Sequence, residues 1–213
     1  MIKNLIFDYG GVLMDLDFKR TLKSLAVTLQ VDFKDEIYRQ WFLELFKSYE
    51  KNDVTDLQFL DLLRKNSSDN PSDEALISAW NEMMLSISKE RFDMLLELRQ
   101  TYKVYLLSNT NGIHYTYMMQ MVKDCLGSPS LEAYFDKTYY SHLINMRKPD
   151  REIFDFICKE NNLIKTETLF IDDLPFNVDG AIQAGLHSVQ HDQQTEITAH
   201  IQSYISSVNS QLQ

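Results

Sequence analysis

Short runs of apolar residues recur along the chain and alternate with amphipathic stretches. The runs are rich in β-branched and aromatic residues, which is typical of buried strands in a parallel sheet. They cover residues 5–9, 104–107, 137–140 and 169–171, with a weaker run at 188–190. Helical periodicity appears between the later runs, at residues 112–125, 151–161 and 175–184. This alternation predicts an α/β fold built on a parallel sheet.

Residues 16–87 differ from the rest of the chain, because they show helical periodicity and no convincing strand. Apolar residues at helical spacing form three groups: Leu22, Leu25, Ala26 and Leu29; Ile37, Trp41 and Leu45; and Leu76, Trp80, Met83 and Ile87. Thr55 and Gln58 have the spacing of a capping box, which marks the start of a helix. We therefore expect an all-helical cap domain at 16–87, inserted into a core domain formed by residues 1–15 and 88–213.

Three aspartates stand at the ends of two predicted strands. Asp8 comes at the end of the first apolar run, and Asp172 and Asp173 follow the run at 169–171. Ligands bind at the carboxyl ends of parallel strands, so these side chains should meet at one edge of the sheet. Two carboxylates about 4 Å apart repel by roughly 4 kcal/mol at an effective dielectric near 20, and a bound cation relieves that repulsion. Oxygen ligands of this kind suit Mg²⁺.

Hydroxyl, amide and amino groups stand at other predicted strand ends and helix starts. Ser108, Asn109 and Thr110 come directly after the run at 104–107, and Lys148 precedes a predicted helix. Pro149 disfavours a helical conformation at Lys148, so the ammonium group can point into a site. Each of these groups alone is ordinary loop or capping chemistry. Their order along the chain and their common placement are what favour a catalytic site.

Charge and cysteine content limit the partners of the protein. The formal net charge is -10 and the pI is about 4.9, which disfavours nucleic acids and anionic membranes because both bind mainly through Lys and Arg. Cys125 and Cys158 are too few and too isolated for a disulfide framework or a zinc site, so we expect a reducing compartment. With no signal-peptide pattern or membrane-span pattern, the sequence predicts a cytoplasmic protein that acts on a small molecule. The oligomeric state stays open.

Four segments, FDYGGVL, LLSNT, MRKPD and FIDD, resemble in this order the four motifs of the haloacid dehalogenase-like hydrolase superfamily. The resemblance covers essentially the whole chain, and the helical insertion after the first motif is similar to the cap of subfamily I. It implies a Rossmann-like parallel sheet core with an inserted all-helical cap domain. It also implies a Mg²⁺-dependent phosphomonoester hydrolase that acts on a small phosphorylated metabolite, such as a sugar phosphate, through an aspartyl-phosphate.

The resemblance implies a role for each motif residue. Asp8 would be the nucleophile, Ser108 would hydrogen-bond the transferring phosphoryl group, and Lys148 would neutralise charge around it. The implied Mg²⁺ ligands are Asp8, the backbone carbonyl of Gly10, Asp172 and Asp173. The residues implied in binding the phosphate ester are Gly10, Gly11, Asn109, Thr110 and Asn177. These roles agree with the physical needs of phosphoryl transfer, which are mainly positioning and charge stabilisation.

Gly10 is a departure from the phosphatases of this superfamily. They usually have a second Asp at this position, which protonates the leaving group and later activates water. General acid–base catalysis typically accelerates a reaction about 10²- to 10⁴-fold, so its loss should slow the reaction. The effect should be smallest for a leaving oxygen of low basicity, such as that of a sugar 1-phosphate. The opening FDYGGVLMDLDF is similar to that of bacterial α-glucose-1-phosphate phosphatase-like members, which also have Gly here.

Two other functions stay open at this point. In a 2-haloacid dehalogenase, Asp8 would attack a carbon atom and displace halide, and no metal would be needed. The adjacent aspartates of FIDD disfavour this function because they favour a metal site. A phosphate-binding protein with weak or no turnover would account for the missing acid. Chelation with EDTA separates the dehalogenase from the phosphatase, and a panel of phosphate esters separates the phosphatase from the binding protein.

Four other residues that draw attention are expected to have structural roles. Tyr9 points to the opposite side of the extended chain from Asp8 and should pack in the core. Asp15 should serve the hairpin after the first strand. Trp80 lies on a helical stripe and should belong to the core of the cap. His114 has no partner at metal-ligand spacing, so we expect it at the surface or at a helix cap.

Overall fold

The computed structural model describes residues 1–212. The strands are β1 (Asn4–Phe7), β2 (Met14–Leu16), β3 (Met84–Ile87), β4 (Lys103–Ser108), β5 (Lys137–Tyr140), β6 (Thr168–Asp172) and β7 (His187–Gln190). The α-helices are α1 (Phe18–Leu29), α2 (Glu36–Glu50), α3 (Asp56–Lys65), α4 (Asp73–Asn81), α5 (Lys89–Leu98), α6 (Gly112–Leu126), α7 (Ser141–Ile144), α8 (Arg151–Glu160), α9 (Pro175–Ala184) and α10 (Ile197–Gln211). Within this range no helix has both the length and the apolar character needed to cross a membrane.

A parallel sheet of five strands forms the centre of the molecule, in the order β5-β4-β1-β6-β7. Phe7 at the end of β1 pairs with Leu106 of β4 and with Ile171 of β6. Asp8 therefore leaves the sheet between the carboxyl ends of β4 and β6. The predicted Rossmann-like α/β fold is confirmed, and the sheet order brings the first and last motifs together.

Helices cover both faces of the sheet. Side chains alternate between the faces along each strand, and here the side chains on both faces are apolar and must be buried. Leu5 and Phe7 belong to a buried cluster that includes residues of α5, α6 and α10. Ile6 points the other way, into a second buried cluster with residues of α8 and α9. Strands that are apolar on both faces are typical of a parallel sheet between helical layers. The architecture is thus α/β/α, with the strand ends free to carry a site.

The insertion has its own apolar core, which centres on the fully buried Trp80 and includes Phe42, Tyr49 and Phe59. Trp80 is thus a core residue of the insertion, as expected. The predicted capping box at the start of α3 is confirmed. There the Thr55 hydroxyl accepts from a backbone N–H, and the Gln58 side chain accepts from the N–H of Thr55.

The prediction that the insertion is all helical is wrong at its edges. Helix α4 ends at Asn81, and β3 pairs antiparallel with β2, so that Met14 lies opposite Ile87. Residues 84–87 continue the apolar spacing of α4, but a partner strand far away in sequence decides their conformation. This two-stranded ribbon lies where the chain enters and leaves the insertion. The domain boundaries at 16 and 87 stay a prediction.

Candidate active site

Three carboxylates meet at the carboxyl edge of the sheet. Asp8 follows β1, Asp172 ends β6 and Asp173 comes next, and all three are buried. One carboxylate oxygen from each lies within 4.8 Å of the others. Burial, and then the negative charge of Asp172, raise the pKa of Asp8 and also that of Asp173. Burial and mutual repulsion therefore disfavour the charged carboxylates, and positive charge close to them relieves that cost.

Lys148 supplies part of the missing positive charge. Its Nζ lies 2.7 Å from Oδ1 of Asp8 and 2.7 Å from Oδ2 of Asp172, and its side chain is only 1% exposed. The loop that carries it is fixed by Asn109, whose amide donates to the Lys148 carbonyl and accepts from the Lys148 N–H, both at 2.9 Å. The Asn109 side chain is thus occupied by backbone groups, which does not support its predicted role in binding phosphate.

Asp172 is saturated with hydrogen bonds. Its Oδ1 accepts from the Leu174 N–H at 2.9 Å and from Nδ2 of Asn177 at 3.0 Å. Its Oδ2 accepts from Lys148 and, at 3.1 Å, from the same Asn177 amide. These contacts make Asp172 the group that orients Lys148 and Asn177, and they leave it little capacity for a metal ion.

Two oxygens of the site make no hydrogen bond within the described residues and so keep free bonding capacity. Oδ2 of Asp8 makes no hydrogen bond within residues 1–212, because Tyr9 N–H and Lys148 both bind Oδ1. Oδ1 of Asn177 is buried and has no hydrogen-bond partner in the same range. Buried polar atoms without partners are rare and call for an explanation such as a bound ion. The Asn177 oxygen and Asp173 together fit a small divalent cation, and the free Asp8 oxygen is available as a nucleophile.

The remaining motif residues hold the loops at this edge. Ser108 ends β4 and is buried beside Tyr140 of β5. The loop after β4 is tied to the first residue of α7, Ser141, whose hydroxyl accepts from the Thr110 N–H and donates to the Thr110 carbonyl, both at 2.9 Å. Gly11 has a φ of +74°, and an added Cβ would lie 2.6 Å from Cγ of Asp173. Glycine is therefore required at position 11, because any side chain would displace a carboxylate of the site.

A cavity of about 730 Å³ lies between this edge and the helical insertion. The predicted site residues that line it are Asp8, Gly10, Asn109, Lys148, Asp173 and Asn177. Gly11, Ser108, Thr110 and Asp172 are not among its lining residues in the described part of the chain. The insertion contributes mostly apolar wall, from Phe18, Leu43, Phe46 and Met83. This volume is typical of a site for a small metabolite.

Comparison with known proteins agrees with this geometry. The sequence profile described as haloacid dehalogenase-like hydrolase matches residues 5–191. The chain belongs to this family. A D-ribitol-5-phosphate phosphatase from Bacteroides thetaiotaomicron is 30% identical over 190 residues, which are 89% of this chain and 92% of that protein.

Solved structures of the same family are also similar to this protein. A HAD family enzyme from Bacteroides thetaiotaomicron, crystallised with magnesium and inorganic phosphate, is 33% identical with a TM-score of 0.79, covering 92% of this chain and 97% of that one. A predicted HAD-like family hydrolase from Porphyromonas gingivalis is 29% identical with a TM-score of 0.83, covering 96% of this chain and 98% of that one. The predicted family resemblance is confirmed.

Gly10 is the position where this haloacid dehalogenase-like hydrolase lacks the expected acid. An added Cβ at Gly10 would overlap Cδ1 of Leu16, so an apolar side chain from β2 fills the space that an acid would need. Asp15, the neighbour of Leu16, does not replace the acid. Its carboxylate accepts from the Ser86 hydroxyl at 2.6 Å and pairs with Arg91 at 2.8 Å, which stabilises the β2–β3 ribbon. Tyr9 is buried in the core, as expected.

The prediction for His114 is wrong, since this residue is buried and lines the cavity. Its ring stacks on Trp80 with centroids 4.6 Å apart, and Nε2 lies 3.0 Å from the Trp80 carbonyl. Asn111 completes the network, because its amide lies 3.1 Å from Nδ1 of His114 and its Oδ1 accepts from the Trp80 indole at 3.3 Å. Burial lowers the pKa of His114 to about 4. Neutral His114 therefore joins the insertion to the start of α6.

Sequence reasoning missed a second buried ion pair in the cavity wall, between Glu50 and Arg147. The burial of Glu50 could have been inferred, because this residue lies on the same face of α2 as the buried Phe42, Leu45 and Tyr49. A charged residue on an apolar helix face usually has a buried partner. Nothing in the local sequence identifies Arg147 as that partner.

Proposed function

We propose that this protein is a Mg²⁺-dependent phosphomonoester hydrolase that acts on a small phosphorylated sugar or polyol through an aspartyl-phosphate at Asp8. The observation that carries the proposal is the pairing of Lys148 with one oxygen of Asp8, which leaves the other oxygen free to act as a nucleophile. A carboxylate is a weak nucleophile, but positioning in line with phosphorus compensates for this weakness.

The reaction has two steps at Asp8. In the first, Oδ2 of Asp8 forms a bond to phosphorus while the bond from phosphorus to the ester oxygen breaks, and the ester oxygen takes a proton from water and leaves as the alcohol. In the second, water attacks phosphorus and gives a proton to the solvent, the bond from phosphorus to Asp8 breaks, inorganic phosphate leaves and the carboxylate is restored. Lys148 offsets the negative charge of the phosphoryl oxygens, and we assign Ser108 as the hydroxyl that binds one of them.

We assign Oδ1 of Asp8, Asp173 and the Gly10 carbonyl as the groups that would hold Mg²⁺, which keeps Oδ2 of Asp8 for the attack on phosphorus. When bound, this ion stabilises the negative charge of the phosphoryl oxygens. Asn177 is placed to add its free Oδ1, directly or through water. Asp172 is assigned as the residue that orients Lys148 and Asn177, since its oxygens are already occupied. This modifies the expectation that Asp172 itself binds the metal.

The remaining predicted site residues receive more limited roles. Gly11 gives the chain a close approach to Asp173, and the hydrogen bonds of Thr110 to Ser141 hold the loop that follows Ser108 in place. The insertion, taken as a cap over residues 16–87, would exclude water and select the substrate. The relative named D-ribitol-5-phosphate phosphatase supports a polyol or sugar phosphate as the substrate class. We further propose that the protein works in the cytoplasm, where Cys125 and Cys158 remain thiols.

A panel of phosphorylated sugars and polyols, assayed with Mg²⁺ and with EDTA, tests this function. We expect hydrolysis that EDTA abolishes and that fresh Mg²⁺ restores. The Asp8→Asn variant should lose hydrolysis and keep its circular dichroism spectrum. Undiminished activity in that variant would rule out the mechanism. Activity toward 2-haloacids in the presence of EDTA would favour the dehalogenase, and phosphate binding without turnover across the panel would favour the binding protein.

A further inference from the structure

Glu50 and Arg147 form a buried ion pair that the proposed chemistry does not use. Nε and Nη2 of Arg147 lie 2.9 Å and 2.8 Å from the same oxygen, Oε2 of Glu50. The side chains are only 5% and 16% exposed, and both line the cavity that contains Asp8. The pair thus joins the end of α2 to the loop that carries Lys148.

Each member of the pair keeps hydrogen-bonding capacity that the protein does not satisfy. Oε1 of Glu50 and Nη1 of Arg147 make no hydrogen bond within the described residues. Burial raises the pKa of Glu50, and Arg147 opposes that rise. Both atoms are reached by solvent from the cavity, so a ligand that both accepts and donates hydrogen bonds would replace water there.

The position of the pair indicates which part of a ligand it meets. Arg147 directly precedes Lys148 and both line the same cavity, so the pair lies beside the proposed phosphate site. The rest of the wall from the insertion is apolar except for Asp17 and Lys19. A hydroxyl group donates to a carboxylate and accepts from a guanidinium, which matches the two free atoms. An alkyl chain offers neither interaction.

We propose that Glu50 and Arg147 form a subsite that binds hydroxyl groups of the substrate alcohol and so selects phosphate esters of polyhydroxylated alcohols. The subsite rests on the proposed phosphatase function. A purely mechanical role is the rival, because Asn145 next to this loop also contacts the insertion, donating from Nδ2 to the Lys51 carbonyl at 3.0 Å. A clamp of that kind would serve all substrates equally.

The test compares two esters of similar size in the presence of Mg²⁺. One is the polyol or sugar phosphate that the wild type hydrolyses best, with ribitol 5-phosphate in the panel, and the other is n-pentyl phosphate, which has no hydroxyl group. The readout is the ratio of their kcat/KM values, which does not depend on the fraction of folded enzyme. We expect Glu50→Gln to lower this ratio about 10- to 100-fold, mainly through KM of the hydroxylated ester.

Two further variants make the test decisive. The double variant Glu50→Gln/Arg147→Met removes both charges, leaves no unpaired buried charge, and should lower the ratio to a similar extent. Glu82→Gln is the matched control, because Glu82 pairs with Arg20 on the exposed side of the insertion, and its ratio should equal that of the wild type.

Three results would distinguish a failure of the subsite proposal from a failure of the proposed phosphatase function. An unchanged ratio in both variants of the pair, or an equal loss with both esters, would overturn the subsite and favour a clamp. A wild type that hydrolyses n-pentyl phosphate as well as every hydroxylated ester would also overturn the subsite, while the phosphatase function would stand. No hydrolysis of any ester by the wild type would contradict the phosphatase function itself.

Discussion

Replacement of Lys148 by Met gives the sharpest test of the site's electrostatics. Met keeps most of the apolar stem and removes the ammonium group that lies 2.7 Å from both Asp8 and Asp172. Removal of one partner from a buried ion pair usually costs about 3 to 5 kcal/mol, because the remaining charge is left buried without compensation. Here two carboxylates lose the same partner, so we expect the free energy of unfolding to fall by at least this amount at pH 8.

The loss should depend on pH in a defined direction. The pKa of Asp8 is already raised above 3.8 by burial and by Asp172, and Lys148 opposes that rise. A carboxyl whose pKa is higher in the folded state loses stability as the pH rises from its unfolded value to its folded value. Without Lys148 this range extends to higher pH, so the difference between variant and wild type should be smaller at pH 5 than at pH 8.

Urea denaturation followed by circular dichroism measures this difference, with and without Mg²⁺. A cation present at a concentration of about 100 times its Kd adds roughly 2.7 kcal/mol to the free energy of unfolding. The variant has one positive charge fewer in the site, so Mg²⁺ should stabilise it more than it stabilises the wild type. Lys103→Met is the control, because Lys103 pairs with Asp136 at the surface, is 66% exposed and should cost under about 1 kcal/mol. A loss for Lys148→Met no larger than this control would refute the reasoning.

Three further outcomes follow from the site. Because Gly10 cannot activate water, hydrolysis of the aspartyl-phosphate should limit turnover, and rapid-quench experiments should show a burst of alcohol release; its clear absence would count against this order of rates. The wild type should lose roughly 3 kcal/mol of its free energy of unfolding as the pH falls from 6.5 to about 4, because the buried neutral ring of His114 resists protonation, and His114→Gln should not show this loss. Urea titrations at several pH values measure the difference, and identical pH profiles for variant and wild type would contradict it. Gly11→Ala should lower the free energy of unfolding by about 1 to 2 kcal/mol because of the positive φ at this position. Its added methyl group should also displace Asp173 and weaken Mg²⁺ binding in calorimetry, and a Mg²⁺ affinity equal to that of the wild type would exclude this displacement.

The convergence of the carboxylates was predictable because it depends on local pattern and on one general rule. Apolar runs end at Asp8 and Asp172, and the carboxyl ends of parallel strands share an edge. The sequence could not show that β1 and β6 are neighbours, but the rule needs only that they belong to the same sheet. The role of Asp172 was less accessible, since it depends on which amide and amino groups reach each oxygen.

Features that depend on distant partners escaped prediction. Residues 84–87 fit a helical stripe and became a strand because β2 lies beside them. His114 looked like a surface residue until Trp80, 34 positions earlier, placed an indole against its ring. The partner of Glu50 lies 97 positions later, in the loop before Lys148. In each case the short-range pattern is compatible with two outcomes, and tertiary contact decides between them.

The absence of an acid at Gly10 is a property of two residues rather than one. Strand β2 turns Asp15 toward Arg91 and Leu16 toward Gly10, because neighbouring side chains of a strand point to opposite sides. The strand that anchors the insertion therefore also fills the space next to the loop that follows Asp8. An Asp at position 10 would therefore require the end of the Leu16 side chain to move to another rotamer. The packing of Leu16 at the base of the insertion and the space next to Asp8 thus depend on each other.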